Sequence, residues 1–203
     1  MPMNDANACS PSLLDRRDVV AALLKDRDDL LVLTGLGSAT YDVHAAGDRD
    51  DNYYLWGAMG GAALVGLGLA QAQSAKRVLV VTGDGEQLMG FGGLATIGAA
   101  NPSNLDIVVI DNHHFGETGM QTSHTGRGVD LAKVAQACGF AEAKTLDTMK
   151  DVTELSATLR GPARGPRLFV IKVAAHNPPR SLPSRDAVDI KNRFRAHLGL
   201  PVT

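Results

Sequence analysis

At 203 residues, 44% hydrophobic and 21% charged, the chain has the make-up of one soluble globular domain with enough length to bury a full core. A formal net charge of −2 offers no basic footprint for nucleic acid or an anionic membrane, and no apolar run is long enough to span a bilayer. Two cysteines, Cys9 and Cys138, sit in no CxxC or Cys/His cluster, and the N-terminus has no basic segment followed by an apolar run. The expectation is a cytoplasmic protein in a reducing compartment.

Residues 1–11 are small and polar and are expected to fray, ahead of a single domain over 12–203. Ser12 is placed to cap a helix over Leu13–Lys25, with Leu14, Val19, Ala22 and Leu23 as its apolar stripe and Arg16, Arg17 and Asp18 on its wet side. Leu30–Thr34 has the pattern of a buried strand running into Gly35-Leu36-Gly37-Ser38-Ala39-Thr40. That turn looks like a dinucleotide loop, but Thr40 stands where a third small residue is wanted and no helix-plus-strand is evident after it, so a plain strand-to-loop turn is the better reading. Tyr41–Asp51 is expected to be a polar loop, with Gly47-Asp48-Arg49 as a surface turn. Ala62–Ala72 is rich in Ala, Leu and Gly. Glycines in and before it weaken a helix, which suits one packed tightly against another surface. Met59, on its own, is a core methionine.

The centre of the chain is the most informative stretch. Val78-Leu79-Val80-Val81-Thr82 leads into Gly83-Asp84-Gly85-Glu86, Leu88–Ala100 has helix length, and Leu105 to Asp111 is a second β-branched run ending at Asn112. Together they form a β-α-β unit. A right-handed crossover brings both strand ends to one sheet edge, so Asp84 and Asn112 come to lie side by side where open α/β sheets bind ligands. One carboxylate and one amide oxygen suit a hard cation such as Mg²⁺ that takes its remaining ligands from phosphate. The backbone N–H groups around Gly85 and Glu86 open a helix, which favours a diphosphate.

Beyond it, His113–Arg127 is a long polar loop. His113 and His114 are adjacent, but no second cluster at ligand spacing accompanies them to make a zinc site. Glu117 and His124 are candidates for proton transfer, with solvated loop residues as the default. Thr118 is equally suited to a diphosphate or to bracing its own loop. Helices are expected over Asp130–Ala137, Thr148–Leu159 and Asp186–Leu198, and a strand over Leu168–Val173. Arg180, Arg185, Arg193 and Arg195 are expected on a solvated face.

Gly83-Asp84-Gly85, then 26 residues, then Asn112 resembles the diphosphate-and-magnesium motif of thiamine diphosphate (ThDP) enzymes. Gly47-Asp48-Arg49, Tyr54-Leu55-Trp56-Gly57-Ala58-Met59-Gly60 and Asp111-Asn112-His113-His114-Phe115-Gly116-Glu117-Thr118-Gly119 make the β-type subunit of sulfopyruvate and phosphonopyruvate decarboxylases the most similar member. The resemblance implies an α/β fold: a single three-layer domain with a mostly parallel sheet and helices on both faces. It implies Mg²⁺ held by Asp84, Asn112 and the backbone carbonyl of His114. It also implies ThDP held by Gly57, Ala58, Met59, Gly83, Asp84, Gly85, Glu86, Asn112, His114, Phe115, Gly116 and Thr118. Met59 would prop the cofactor into its bent form and the Gly57 carbonyl would accept from its aminopyrimidine. Met59, His114 and Glu117 are the implied catalytic set, and the His pair departs from the small or polar residues usual there.

ThDP enzymes also need a glutamate from a pyrimidine-binding domain, and this chain has the strands of one α/β domain only. A separate α-type subunit is therefore expected to supply that glutamate, with the Ala/Gly-rich helix near the contact. The implied activity is decarboxylation of a small anionic 2-oxo acid to an aldehyde and CO₂. The alternatives are a ThDP-dependent carboligase, an acyl-transferring oxidoreductase subunit or, outside catalysis, a nucleotide-binding regulatory module.

Overall fold

The computed structural model describes residues 13–202; the expected frayed segment, Cys9 and Ser12 lie outside them. From the N-terminus the elements are α1 (Arg16–Leu24), β1 (Leu31–Thr34), α2 (Ser38–Ala45), β2 (Asn52–Tyr54), α3 (Ala62–Ala72), β3 (Val78–Gly83), α4 (Asp84–Met89) and α5 (Gly93–Ala100). There follow β4 (Leu105–Asp111), β5 (His114–Phe115), β6 (Gln121–Thr122), α6 (Leu131–Ala137), β7 (Glu142–Leu146), α7 (Met149–Thr158), β8 (Arg167–Lys172) and α8 (Ala187–His197). Six strands form one sheet in the order β2-β1-β3-β4-β8-β7, every neighbouring pair parallel. β5 and β6 make a small antiparallel ribbon beyond the end of β4.

Strand alternation divides the interior into two cores. Leu31 and Leu33, Val78 and Val80, Ile107 and Val109, and Leu168 and Val170 face the core shared with α3, α5 and α6. Val32, Leu79 and Val81, Val108 and Ile110, and Phe169 and Ile171 face the core shared with α1, α2 and α7. This is the three-layer α/β domain the sequence led us to expect, with the sheet parallel throughout. No described helix is long and apolar enough to cross a membrane.

Several local expectations are corrected. The cap of α1 is Asp15, whose carboxylate accepts from Arg17 N at 2.7 Å and Asp18 N at 3.3 Å. Arg16 is not on a wet side: it is buried against Asp42. The expected polar loop over 41–51 is in large part α2, since Ala39 and Val43 enter the core and Asp42 is neutralised by Arg16 and Arg17. Hence a β1-α2-β2 unit does follow the glycine turn. The single helix expected over Leu88–Ala100 is two helices. A Cβ on Gly90 would lie 2.1 Å from the Gly60 carbonyl oxygen, so the chain breaks where two backbones touch.

The edge strands β2 and β7 were missed altogether: one is three residues long and the other half polar. α6, α7 and α8 begin where expected, each capped by its own side chain, Asp130, Thr148 and Asp186 respectively. Arg193 is not simply solvated: it pairs with Asp48 at 2.7 Å and lies over the Tyr54 ring. Arg180 pairs with Glu117 at 3.1 Å.

Candidate active site

The β3–β4 register pairs Gly83 with Ile110, so the next residues up each strand, Asp84 and Asp111, stand together at the C-terminal edge of the sheet, with Asn112 one step further. Asp84 is 2% exposed. Both hydroxyl contacts to its carboxylate fall on Oδ2, from Ser123 at 2.5 Å and Thr125 at 3.1 Å. Thr125 also reaches Asp111 Oδ1 at 2.8 Å, and Lys172 holds Asp111 Oδ2 at 2.5 Å. Burial pushes the Asp84 carboxyl above its ordinary value; the two hydroxyls pull it back and the Asp111 charge pushes it further up. Two buried carboxylates facing one lysine form a small pool of negative charge in want of a cation.

Asn112 is buried at the end of β4, and its Oδ1 accepts from His114 N at 2.9 Å. The His114 ring turns back on its own loop, Nδ1 donating to the Asn112 carbonyl at 2.7 Å. Phe115 seats on Gly85, where a Cβ would come within 2.7 Å of the ring. This contact explains why glycine stands second in α4. Among the described residues no group of three His, Cys, Asp or Glu side chains is placed to hold a metal. The donor set is one carboxylate and one amide, which fits a Mg²⁺ ion completed by phosphate and water oxygens and does not fit an all-protein cage.

Met59 sits in a tight backbone knot. Gly57, Ala58 and Gly60 all have positive φ, 80°, 46° and 90°, and for Ala58 that conformation stores roughly 1 kcal/mol or more of strain. A Cβ on Gly60 would be 2.8 Å from Gly90 N. The knot presents Met59, 37% exposed, to the site. Glu86 ties it down from below: its carboxylate accepts from Thr82 Oγ1 at 2.8 Å, from Gly60 N at 3.4 Å and from the Leu36 backbone. Burial raises the Glu86 carboxyl while those three donors oppose the rise. A Cβ on Gly35 would fall 1.6 Å from Glu86 Oε2. The turn that looked like a dinucleotide loop is thus occupied by an anion belonging to the chain itself.

These elements enclose an open cleft of about 560 Å³. Met59, Gly83, Asp84, Gly85, Glu86, Asn112, Phe115, Gly116, Glu117 and Thr118 line it, joined by Met89 and Ile110. Gly57, Ala58 and His114 are not among the residues that line it. Thr118 braces its own loop, donating to Gln121 Oε1 at 3.0 Å and Phe115 O at 3.4 Å. Glu117 accepts from Ser38 Oγ at 3.0 Å as well as from Arg180. His124 packs edge-on against Phe115.

Sequence reasoning missed Arg16, Leu36, Ser38 and Ala39 on the cleft wall, and Ser123, Thr125, Asp111 and Lys172 beneath it. Asp111 had a signal, being next to Asn112. The glycines at 35 and 37 also marked a turn at the active edge. Ser123 and Thr125 had none, lying 39 and 41 positions from Asp84.

Fold and site together define the cofactor-binding domain of a ThDP enzyme. Residues 36–173 match the family described as "Thiamine pyrophosphate enzyme, C-terminal TPP binding domain". The chain is 37% identical over 126 residues to sulfopyruvate decarboxylase subunit beta of Methanocaldococcus jannaschii, covering 62% of this chain and 66% of that one. With the subunit beta of Methanococcus maripaludis the identity is 31%, over 89% of this chain and 96% of that one. With phosphonopyruvate decarboxylase of Streptomyces viridochromogenes it is 36%, over 85% of this chain but 43% of the relative. The chain therefore spans under half of that relative and nearly all of a separate β subunit. The fold is shared with benzoylformate decarboxylase from Polynucleobacter necessarius (TM-score 0.68, 18% identity, 88% of this chain and 36% of that one). It is shared as well with 2-oxoglutarate:ferredoxin oxidoreductase from Magnetococcus marinus (TM-score 0.65, 18% identity, 89% and 67%). The chain belongs to the sulfopyruvate and phosphonopyruvate decarboxylase family of thiamine pyrophosphate enzymes.

Proposed function

We propose that the chain is the diphosphate- and Mg²⁺-binding subunit of a ThDP-dependent decarboxylase. Its substrate would be a small anionic 2-oxo acid of the sulfopyruvate or phosphonopyruvate type, converted to an aldehyde and CO₂. The observation that carries the reading is the buried Asp84 carboxyl group, held on Oδ2 by Ser123 and Thr125 and lining the cleft together with Asn112. When bound, ThDP supplies the electron sink that lets a 2-oxo acid lose CO₂.

The chain's own residues position and shield. Asp84, Asn112 and the His114 carbonyl would hold Mg²⁺, and the α4 N-terminus would offer backbone N–H groups to the diphosphate. Met59, fixed by the strained knot at 57–60, and the Gly57 carbonyl would position the rings of the cofactor. Glu117 is the carboxylate on the cleft wall placed to move a proton, its charge balanced by Arg180.

A separate α-type subunit completes the site and brings the activating glutamate. Support comes from the exposed apolar residues Met59, Leu64, Val65, Met89 and Phe91. Met59 and Met89 line the cleft, and Leu64 on α3 lies against Gly93 at the start of α5; exposed apolar side chains of this kind suit an interaction surface. The decisive experiment is Asp84→Ala with Mg²⁺-dependent ThDP retention measured on the assembled two-subunit enzyme. Retention is expected to be lost; retention equal to that of the unaltered enzyme would refute the site.

A further inference from the structure

Among the described residues, Arg16 is the buried cation with the fewest side-chain hydrogen bonds, one against two for Arg27 and three for Arg167. It lies on α1, ahead of the segment 36–173 matched by the family, and is 3% exposed. Its Nε donates to Asp42 Oδ2 at 2.6 Å. Asp42 is gripped on its other oxygen by Arg17 Nε, also at 2.6 Å, so the Arg16 guanidinium is held by a carboxylate that is itself fixed. Among the described residues, neither terminal amino group of Arg16 has a hydrogen-bond partner, and neither is sealed in the interior as an unpaired atom. Each therefore retains some surface, and Arg16 is one of the residues lining the cleft. Arg180, by contrast, is already matched by Glu117.

The position of Arg16 says which part of a ligand it meets. A side cavity of about 320 Å³ adjoins the cleft and shares with it Arg16, Ser38, Gly116 and Glu117; neither Met59 nor Met89 reaches it. That side cavity does not reach Asp84 or Asn112 either; it is the wider cleft, bounded by the α2 N-terminus, that puts Arg16 on one wall with Asp84, Gly85 and Asn112, the residues proposed to hold the diphosphate. A diphosphate carrying one Mg²⁺ retains negative charge that the metal does not cancel. A buried guanidinium presenting two parallel N–H donors is the side chain best matched to phosphoryl oxygens.

We propose that Arg16 donates its two terminal amino groups to the terminal phosphate of ThDP, which makes α1 part of the diphosphate site. This rests on the reading of the cleft as a ThDP site. The test is calorimetric titration of the assembled enzyme with ThDP and, separately, with thiamine monophosphate, each with Mg²⁺. Arg16→Met is expected to weaken ThDP about 10- to 100-fold, and to leave thiamine monophosphate within about twofold; Arg16→Lys falls between. Equal losses for both ligands, or no loss, overturn the proposal. Should Arg16→Met fail to fold, Arg16→Met/Asp42→Asn removes both halves of the ion pair and is judged by the same ratio. Asp84→Ala run in parallel separates the two readings. ThDP binding lost with Asp84→Ala but kept with Arg16→Met sinks Arg16 alone, whereas ThDP binding indifferent to Asp84 sinks the site.

Discussion

Strand β4 carries a buried aspartate at each end, and the two ends are wired in opposite ways. At the N-terminal end Asp106 accepts from Arg167 Nε at 2.6 Å and Nη2 at 3.0 Å and also from Arg77: one negative charge meets two positive ones. At the C-terminal end Asp111 is held by Lys172, its neighbour Asp84 by Ser123, and the two share the Thr125 hydroxyl: two carboxyl groups against one cation. The first arrangement closes on itself and holds strands together. The second is short of positive charge: burial, with the Asp111 charge adding to it, raises the Asp84 carboxyl, and a cation is what the pair lacks. Stability is concentrated at one edge of the sheet, and chemistry at the other.

The comparison can be broken most forcefully at its stable end. Asp106→Ala leaves two arginines without their shared anion and is expected to lower unfolding free energy by about 3–5 kcal/mol in denaturant titrations, with no direct effect on the cleft. Asp84→Asn should do the reverse. Relieving a like-charge contact, it leaves metal-free stability unchanged or slightly raised. It should also abolish the gain on adding Mg²⁺ and ThDP, about 2.7 kcal/mol at a hundredfold excess over Kd, read as the shift in thermal midpoint. An Asp84→Asn protein that loses stability without metal and keeps the ligand shift would erase the distinction between the two ends. Thr125→Val is milder. It removes the hydroxyl between Asp84 and Asp111 at a cost of about 1–2 kcal/mol, and part of that loss should return when Mg²⁺ and ThDP are added to the same titration.

The same contrast explains what the sequence could convey. Val78 to Val81 and Ile107 to Ile110 are contiguous apolar runs, fully covered on both faces of a parallel sheet, so the central unit was visible, and with it Asp84 and Asn112. α2 was not, because Thr40 and Asp42 look like solvated residues until Arg16 and Arg17, 26 and 25 positions away, arrive to satisfy Asp42. For the same reason Arg16 passed for a surface charge. The supports of Asp84 come from a loop whose sequence has no periodicity at all. Short-range pattern captured the central strands and the starts of α6, α7 and α8; the pairs that hold Asp42 and Asp84 are long-range, and no short window of the sequence contains both partners.

The smallest effect tests whether a surface pair behaves differently from either end of β4. Asp48 joins the loop after α2 to α8 through Arg193, at 2.7 Å and 3.2 Å, and accepts from Tyr54 Oη at 2.8 Å. Burial alone would raise its carboxyl, but the bonds from Arg193 and Tyr54 outweigh burial and hold it below the ordinary value. A carboxyl lowered on folding adds stability above its unfolded pKa, and that contribution disappears as pH falls through the folded value. Asp48→Asn should therefore narrow the gap to the unaltered protein as pH falls from about 5 to 3. At neutral pH the difference should be about 1 kcal/mol or less, because solvent screens the partly exposed pair. Urea midpoints across that range measure it. A gap that stays constant with pH would mean that the Asp48–Arg193 contact contributes packing and no charge interaction.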